Sequence, residues 1–124
     1  MLNNSNVVAF VATSRPDEAK SFYGETLGLR FLTDDAFAIV FEAHGVMLRV
    51  QKVQGHTPPP YTVLGWDVAD IHASIEELSG RGVTCERYEW LAQDESGVWS
   101  SPSGAHIAWF KDPDGNTLSL TQFQ

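Results

Sequence analysis

An α+β fold made of two βαβββ modules is the architecture this sequence predicts, and three observations predict it. The order strand, helix, three strands is written twice along the 124 residues. A proline-rich break, "QGHTPPPY", separates the two copies and suits a stiff linker. The copies also match locally: "VFEAHGVMLRV" lies on "WFKDPDGNTLSL" with Phe41 on Phe110, Leu48 on Leu118 and Arg49 on Ser119. The expected organisation is one domain over 1–124, with a first module at 1–53, the linker at 54–61 and a second module at 62–124.

Each element follows from its residues. In "NVVAFVAT", alternation puts Val7, Ala9 and Val11 toward a helix and leaves Val8, Phe10 and Ala12 on the opposite face. Ser14, Arg15 and Pro16 open that helix, with Asp17 near its positive end, and Ala19, Phe22, Tyr23 and Leu27 recur at helical spacing until Gly28 stops it. "LRFLT" is a short strand. "FAIVFEAHGVMLRVQKV" folds two strands about His44-Gly45, with Leu48 and Val50 in the core and Met47, Arg49 and Gln51 opposite.

In the second module "TVLGWDV" is a strand that sets Leu64, Trp66 and Val68 under a helix and turns Val63, Gly65 and Asp67 away. Asp70 caps the helix, Ile71, Ile75 and Leu78 form its apolar face, and Gly80 and Gly82 end it. "TCERYEW" is expected as a strand and "AQDESGVWSSPSG" as a long loop. "AHIAWF" and "NTLSLTQF" then form a hairpin whose DPDG turn suits type I geometry with glycine in the left-handed position. That hairpin sets Trp109 opposite Ser119 and Ile107 opposite Thr121, on the face shared with Thr117.

Composition excludes several function classes. With 43% hydrophobic residues the chain can bury a real core. Eight Lys and Arg against 16 Asp and Glu give a net charge of −8, so the overall field repels phosphate backbones and anionic lipid, and no nucleic-acid or membrane partner is expected. One cysteine, Cys85, forms no internal disulfide, and "MLNNSNVVAF" lacks the basic and apolar regions of a secretory signal. A cytoplasmic location is the expectation.

"FYGETLGL", the duplicated module and "AWFKDPDGNTLSL" together resemble the vicinal oxygen chelate superfamily: glyoxalase I, extradiol dioxygenases, fosfomycin-inactivating enzymes and bleomycin-binding resistance proteins. The resemblance spans nearly the whole chain. It implies the glyoxalase/bleomycin resistance fold, in which the strands of both modules curl into an open cup with helices outside, in a homodimer. In the metal-using members that the chain resembles, one ligand stands on the first strand and one on the last strand of each module, usually His or Gln first and Glu last. Carried onto this sequence, those positions are Val8, Arg49, Val63 and Ser119. Valine has no lone pair, a serine hydroxyl is a weak neutral donor, and a divalent ion needs several imidazole or carboxylate groups. Arg49 adds repulsion of roughly 8 kcal/mol if the two charges stand about 4 Å apart at an effective dielectric near 20. Neither metal nor other cofactor is expected. His44, His56, His72 and His106 share no ligand spacing, although a one-residue slip would turn His106 into the cup as a base.

What remains is a cup lined by Val8, Phe10, Met47, Arg49, Val63, Asp67, Ile107, Trp109 and Ser119, with Trp99 in a loop able to close over its mouth. Arg49 either anchors a carboxylate or phosphate of a ligand or pairs internally with Asp67 or Glu42. Trp90 and Trp99 serve as a lid or as rim packing, and Tyr88 as a donor or as a strand residue with a wet hydroxyl. Cys85 is an inert thiol, and "PPPY" a spacer. The leading expectation is a metal-independent protein that sequesters a small, partly aromatic or anionic molecule, with Arg49, Trp109 and Ser119 as contacts. The alternatives are a lyase, isomerase or dioxygenase-type enzyme, and a dimerising scaffold with a plugged cup. The enzyme requires a shifted metal alignment or an acid/base from Asp67, Glu86, Tyr88 or His106.

Overall fold

Both φ angles at His44-Gly45 are positive, 48° and 86°, which is the two-residue hairpin turn whose twist agrees with that of the strands it joins. In the computed structural model, which describes residues 1–124, that turn links β3 (Ala38–Ala43) to β4 (Val46–Lys52). β1 (Val8–Thr13) runs parallel to β4, and β2 (Arg30–Asp34) lies outside β3, giving the order β1-β4-β3-β2. These strands and α1 (Pro16–Ser21) form the first of two compact units, Met1–Pro58. The element order is βαβββ.

The first unit's core lies on one face of its sheet. Val11, Ile39, Phe41, Leu48 and Val50 are buried together with Ala19 and Tyr23 of the helical segment. Each of the buried Val, Ile, Leu and Phe side chains stabilises by about 1.5–3 kcal/mol. The helix is shorter than its periodicity suggests: Arg15 precedes it without a side-chain cap, and Phe22–Thr26 continue as a wider π-type turn before Gly28 at φ 74°. Thr13 orients the entry, its hydroxyl accepting from the Arg15 amide at 3.0 Å. Val7 falls outside β1 and is exposed, so the helix-side set begins at Ala9.

The second unit, Pro59–Gln124, repeats the order with β5 (Thr62–Asp67), α2 (Ile71–Gly80), β6 (Trp99–Ser100), β7 (His106–Lys111) and β8 (Thr117–Gln122). Its sheet runs β5-β8-β7-β6. Asp70 caps α2 as expected, accepting from the Ala73 amide at 3.1 Å. Trp66 stacks on Phe110, ring centroids 6.4 Å apart, and Leu118 and Leu120 are buried on the same side.

Two expectations fail in this unit. Residues 84–90 form no strand and keep a backbone bond to β7 from the Glu86 amide to the Trp109 carbonyl at 2.7 Å, while the paired edge strand is Trp99-Ser100, inside the segment expected as loop. The cause is Gln93, whose side chain occupies the backbone groups a strand partner would use. Its Oε1 accepts from the Tyr88 amide at 2.7 Å, while its Nε2 donates to the carbonyls of Glu86 at 3.0 Å and Gly97 at 2.9 Å. Simple alternation also breaks in β5: the register shifts between Thr62 and Leu64, leaving Val63 without a cross-strand partner. No helix is long and apolar enough to cross a membrane.

Candidate functional site

Each sheet has a face turned away from its helix, and the expected site residues are distributed over these two faces. On the first, Val8 pairs with Met47 and Phe10 with Arg49, which in turn faces Val40. Phe10 stands 55% exposed there, beside a half-buried Arg49. Arg49 makes no ion pair with Glu42: the charge contacts of this unit join Arg15 to Glu18, and Lys20 and Lys52 to Asp34. Its field reaches Asp35 and contributes to holding that carboxyl below the ordinary 3.8, after the larger effect of the Phe37 and Ala38 amides that donate to it.

On the second face, Trp109 stands opposite Ser119 and Ile107 opposite Thr121, the expected register, with Gly65 and Asp67 on the far side of β8. Trp99 pairs with Ile107, so it belongs to the sheet and not to a free lid. Ser119 is only 8% exposed, and a Cβ at Gly65 would collide with its hydroxyl. His106 sits one residue out of phase, paired with Gln122 and bonded through Nδ1 to the Ser100 hydroxyl at 2.9 Å. The slip that would make it an inward base does not occur.

The second unit carries a cavity of about 380 Å³ on this face. It is lined by the end row of the sheet, Thr62, Thr117 and Lys111, of which only Thr117 is buried, with Trp109 beside it; Tyr88, Leu91 and Pro60 also line it, as do the exposed Trp90 and Tyr61. Three of its aromatic rings are in contact in series, and the series continues beyond it to Trp99. Trp90 lies 4.9 Å from Tyr88, Tyr88 stands edge-on to Trp109 at 5.7 Å, and Trp109 meets Trp99 at 6.3 Å. Burial and the Glu86 charge push the Tyr88 phenol upward, so it is a neutral hydroxyl at physiological pH. A second cavity, about 420 Å³, lies beside α2 and is lined by His72, Glu76, Cys85 and Glu95 among others. It is marginally larger but lacks aromatic walls and holds two carboxylates, so volume alone does not choose it.

Of the ten residues expected at the site, this aromatic cavity takes only Trp109. Thr117 lies on the face that alternation assigns it, whereas Lys111, Tyr61 and Leu91 are linings the sequence does not mark, and Tyr88 and Trp90 take their place beside them. Lys111 alone of these had a signal: the alternation that places Ile107 and Trp109 on one face reaches Lys111 at the next step.

The fit of a metal is poor in this chain. Val8, Arg49, Val63 and Ser119 offer one hydroxyl among them, and no three His, Cys, Asp or Glu side chains come together elsewhere as ligands. The sequence matches the Glyoxalase/Bleomycin resistance protein/Dioxygenase superfamily over residues 6–120. The chain belongs to that superfamily. Among solved members of this fold, a glyoxalase family protein from Bacillus anthracis is 18% identical with a TM-score of 0.76, covering 98% of this chain and 96% of its own. A superfamily member from Sphaerobacter thermophilus is 21% identical at TM-score 0.75, with 98% and 99% covered. Lactoylglutathione lyase from Agrobacterium tumefaciens is 15% identical at TM-score 0.71, with 96% and 93% covered. At these identities the likeness concerns the glyoxalase fold alone. No curated protein matches the chain.

Proposed function

We propose that this superfamily member is a cytoplasmic, homodimeric binding protein that sequesters a small, partly aromatic or anionic molecule without a metal. The observation that carries the reading is the aromatic cavity of the second unit, in which Trp109, Tyr88 and Trp90 present ring surfaces beside two polar anchors, Lys111 and Thr117. Ring surfaces beside a few polar groups are the usual chemistry of a small-molecule site, and here they line an open cleft whose outer residues Tyr61 and Trp90 stand 65% and 78% exposed. Arg49 supports it from the first unit, as a half-buried cation that forms no salt bridge there, among Val8, Phe10 and Met47. The exposure of those three apolar side chains, 42%, 55% and 40%, is the support for a homodimer or a bound ligand covering that face.

The ligand set argues against the alternative of a metal-dependent lyase or oxygenase, since valine and arginine stand at the inferred ligand positions. Isothermal titration of the chelator-treated protein with a panel of aryl carboxylates tests the reading. Saturable binding by the intact chain that Trp109→Ala weakens supports it. Elemental analysis showing one tightly held metal per chain, released by substitution at Val8 or Arg49, overturns it.

A further inference from the structure

We propose that the cavity of the second unit selects planar aromatic anions, and that Lys111 sets this selectivity; the inference rests on the binding reading above and names its ligand class. Aromatic walls alone leave the sign of the ligand open, because stacked rings also make a cage for a cation. Charge decides between the two. Lys111 is the one charged residue lining the cavity, and no Asp or Glu lines it.

The remaining cations of this unit are engaged. Arg81 pairs with Glu77 at 3.2 Å, and Arg87 donates to the Asp94 carbonyl at 2.6 Å. The carboxylate next in sequence to Lys111 is also occupied, since Asp112 accepts from the amides of Asp114 and Asn116, both at 2.9 Å, and from the Asn116 side chain at 2.8 Å. Lys111 therefore belongs to no ion pair. Lys111 is exposed, and its Nζ donates to Thr117 Oγ1 at 2.7 Å, which tethers the ammonium beside the rings and leaves two of its three donors for a ligand. A cation entering among the rings meets that charge, whereas a carboxylate or phenolate gains a charge-assisted hydrogen bond. In a chain of net charge −8 the overall field discourages anions, so a local ammonium is what such a ligand requires.

The test is calorimetric titration of the full chain with three isosteric probes: naphthalene-2-carboxylate, its neutral carboxamide, and a naphthyl trimethylammonium salt. The carboxylate is expected to bind tighter than the amide by about tenfold, with the advantage shrinking as salt rises. Lys111→Met should bring the carboxylate down to the amide's affinity, Lys111→Arg should restore most of the gap, and Thr117→Val should narrow it. Equal binding of carboxylate and amide, both weakened by Trp109→Ala, overturns the charge assignment and leaves aromatic binding standing. Preference for the ammonium overturns it equally. Binding by none of the three removes the binding reading, and this inference with it.

Discussion

At Asp112 one buried carboxylate accepts three hydrogen bonds and so holds the DPDG turn that aligns β7 with β8. Gly115 supplies the left-handed residue at φ 86°, and its amide closes the turn on the Asp112 carbonyl at 3.0 Å. The pairing of Trp109 with Ser119 and of Lys111 with Thr117 depends on this geometry. Asp112→Ala is expected to destabilise the fold by about 2–3 kcal/mol, because it strands buried donors as well as removing their acceptor. Urea unfolding of the variant measures it; a loss below about 0.5 kcal/mol would show that the turn holds itself. This residue-level logic was legible in the sequence, since turn residues act locally. The role of Lys111 was not drawn from it, because a lysine at a strand end reads as solvated until its neighbours are known. Val63 was misplaced because a register shift leaves no mark in the residue string.

Among elements, the segment from Val83 to Val98 departs furthest from expectation. Residues 84–90 within it are expected as a strand, yet beside one backbone bond to β7, from the Glu86 amide to the Trp109 carbonyl at 2.7 Å, a glutamine side chain serves Tyr88, Glu86 and Gly97. The Asp94 carboxylate, accepting from the Ser96 and Val98 amides at 2.9 Å, then turns the chain into β6. The same segment walls the aromatic cavity, so its order and the ligand site are linked. Gln93→Leu should raise hydrogen-exchange rates at the Tyr88 amide, destabilise by about 2 kcal/mol, and weaken aromatic ligands without touching them. Unchanged protection at Tyr88 would mean the segment is held by packing. Elements fixed by short-range signals, α2 behind Asp70 and the hairpin at His44-Gly45, were legible in sequence. The edge of the second sheet was decided by a side chain reaching across several residues, which periodicity does not register.

For the whole molecule, acid stability follows from three depressed carboxyls. Asp34 is lowered first by its bond to Lys52 at 2.7 Å, and Asp35 by the amides of Phe37 and Ala38. At Asp94 burial raises the carboxyl, but His72 and the amides of Val98 and Ser96 outweigh it and the balance is downward. A carboxyl whose folded pKa lies below its unfolded value contributes stability that is complete above the unfolded value. That stability is lost as pH falls through the folded one. The melting temperature should therefore change little through these groups above the ordinary aspartate value of 3.8 and fall below it. Asp35→Ala, melted across the same range, should lower the plateau and flatten the acid arm; a parallel displacement of the whole curve would show that this carboxyl is not responsible.

The duplicated βαβββ grammar gave the fold because each strand's face was written in alternation. The small-molecule site was only partly visible, because its walls come from a segment without regular structure.

The central claim is that an aromatic ligand enters the second unit's cavity without a metal. Tryptophan side chains report this directly, since Trp90 and Trp109 line the cavity while Trp66 stacks on Phe110 on the opposite face of the sheet. Indole NH resonances of tryptophan-labelled protein, recorded with chelator as naphthalene-2-carboxylate is added, should shift saturably for Trp90 and Trp109 and stay in place for Trp66. Indole signals that remain still until a divalent metal is supplied would contradict the account.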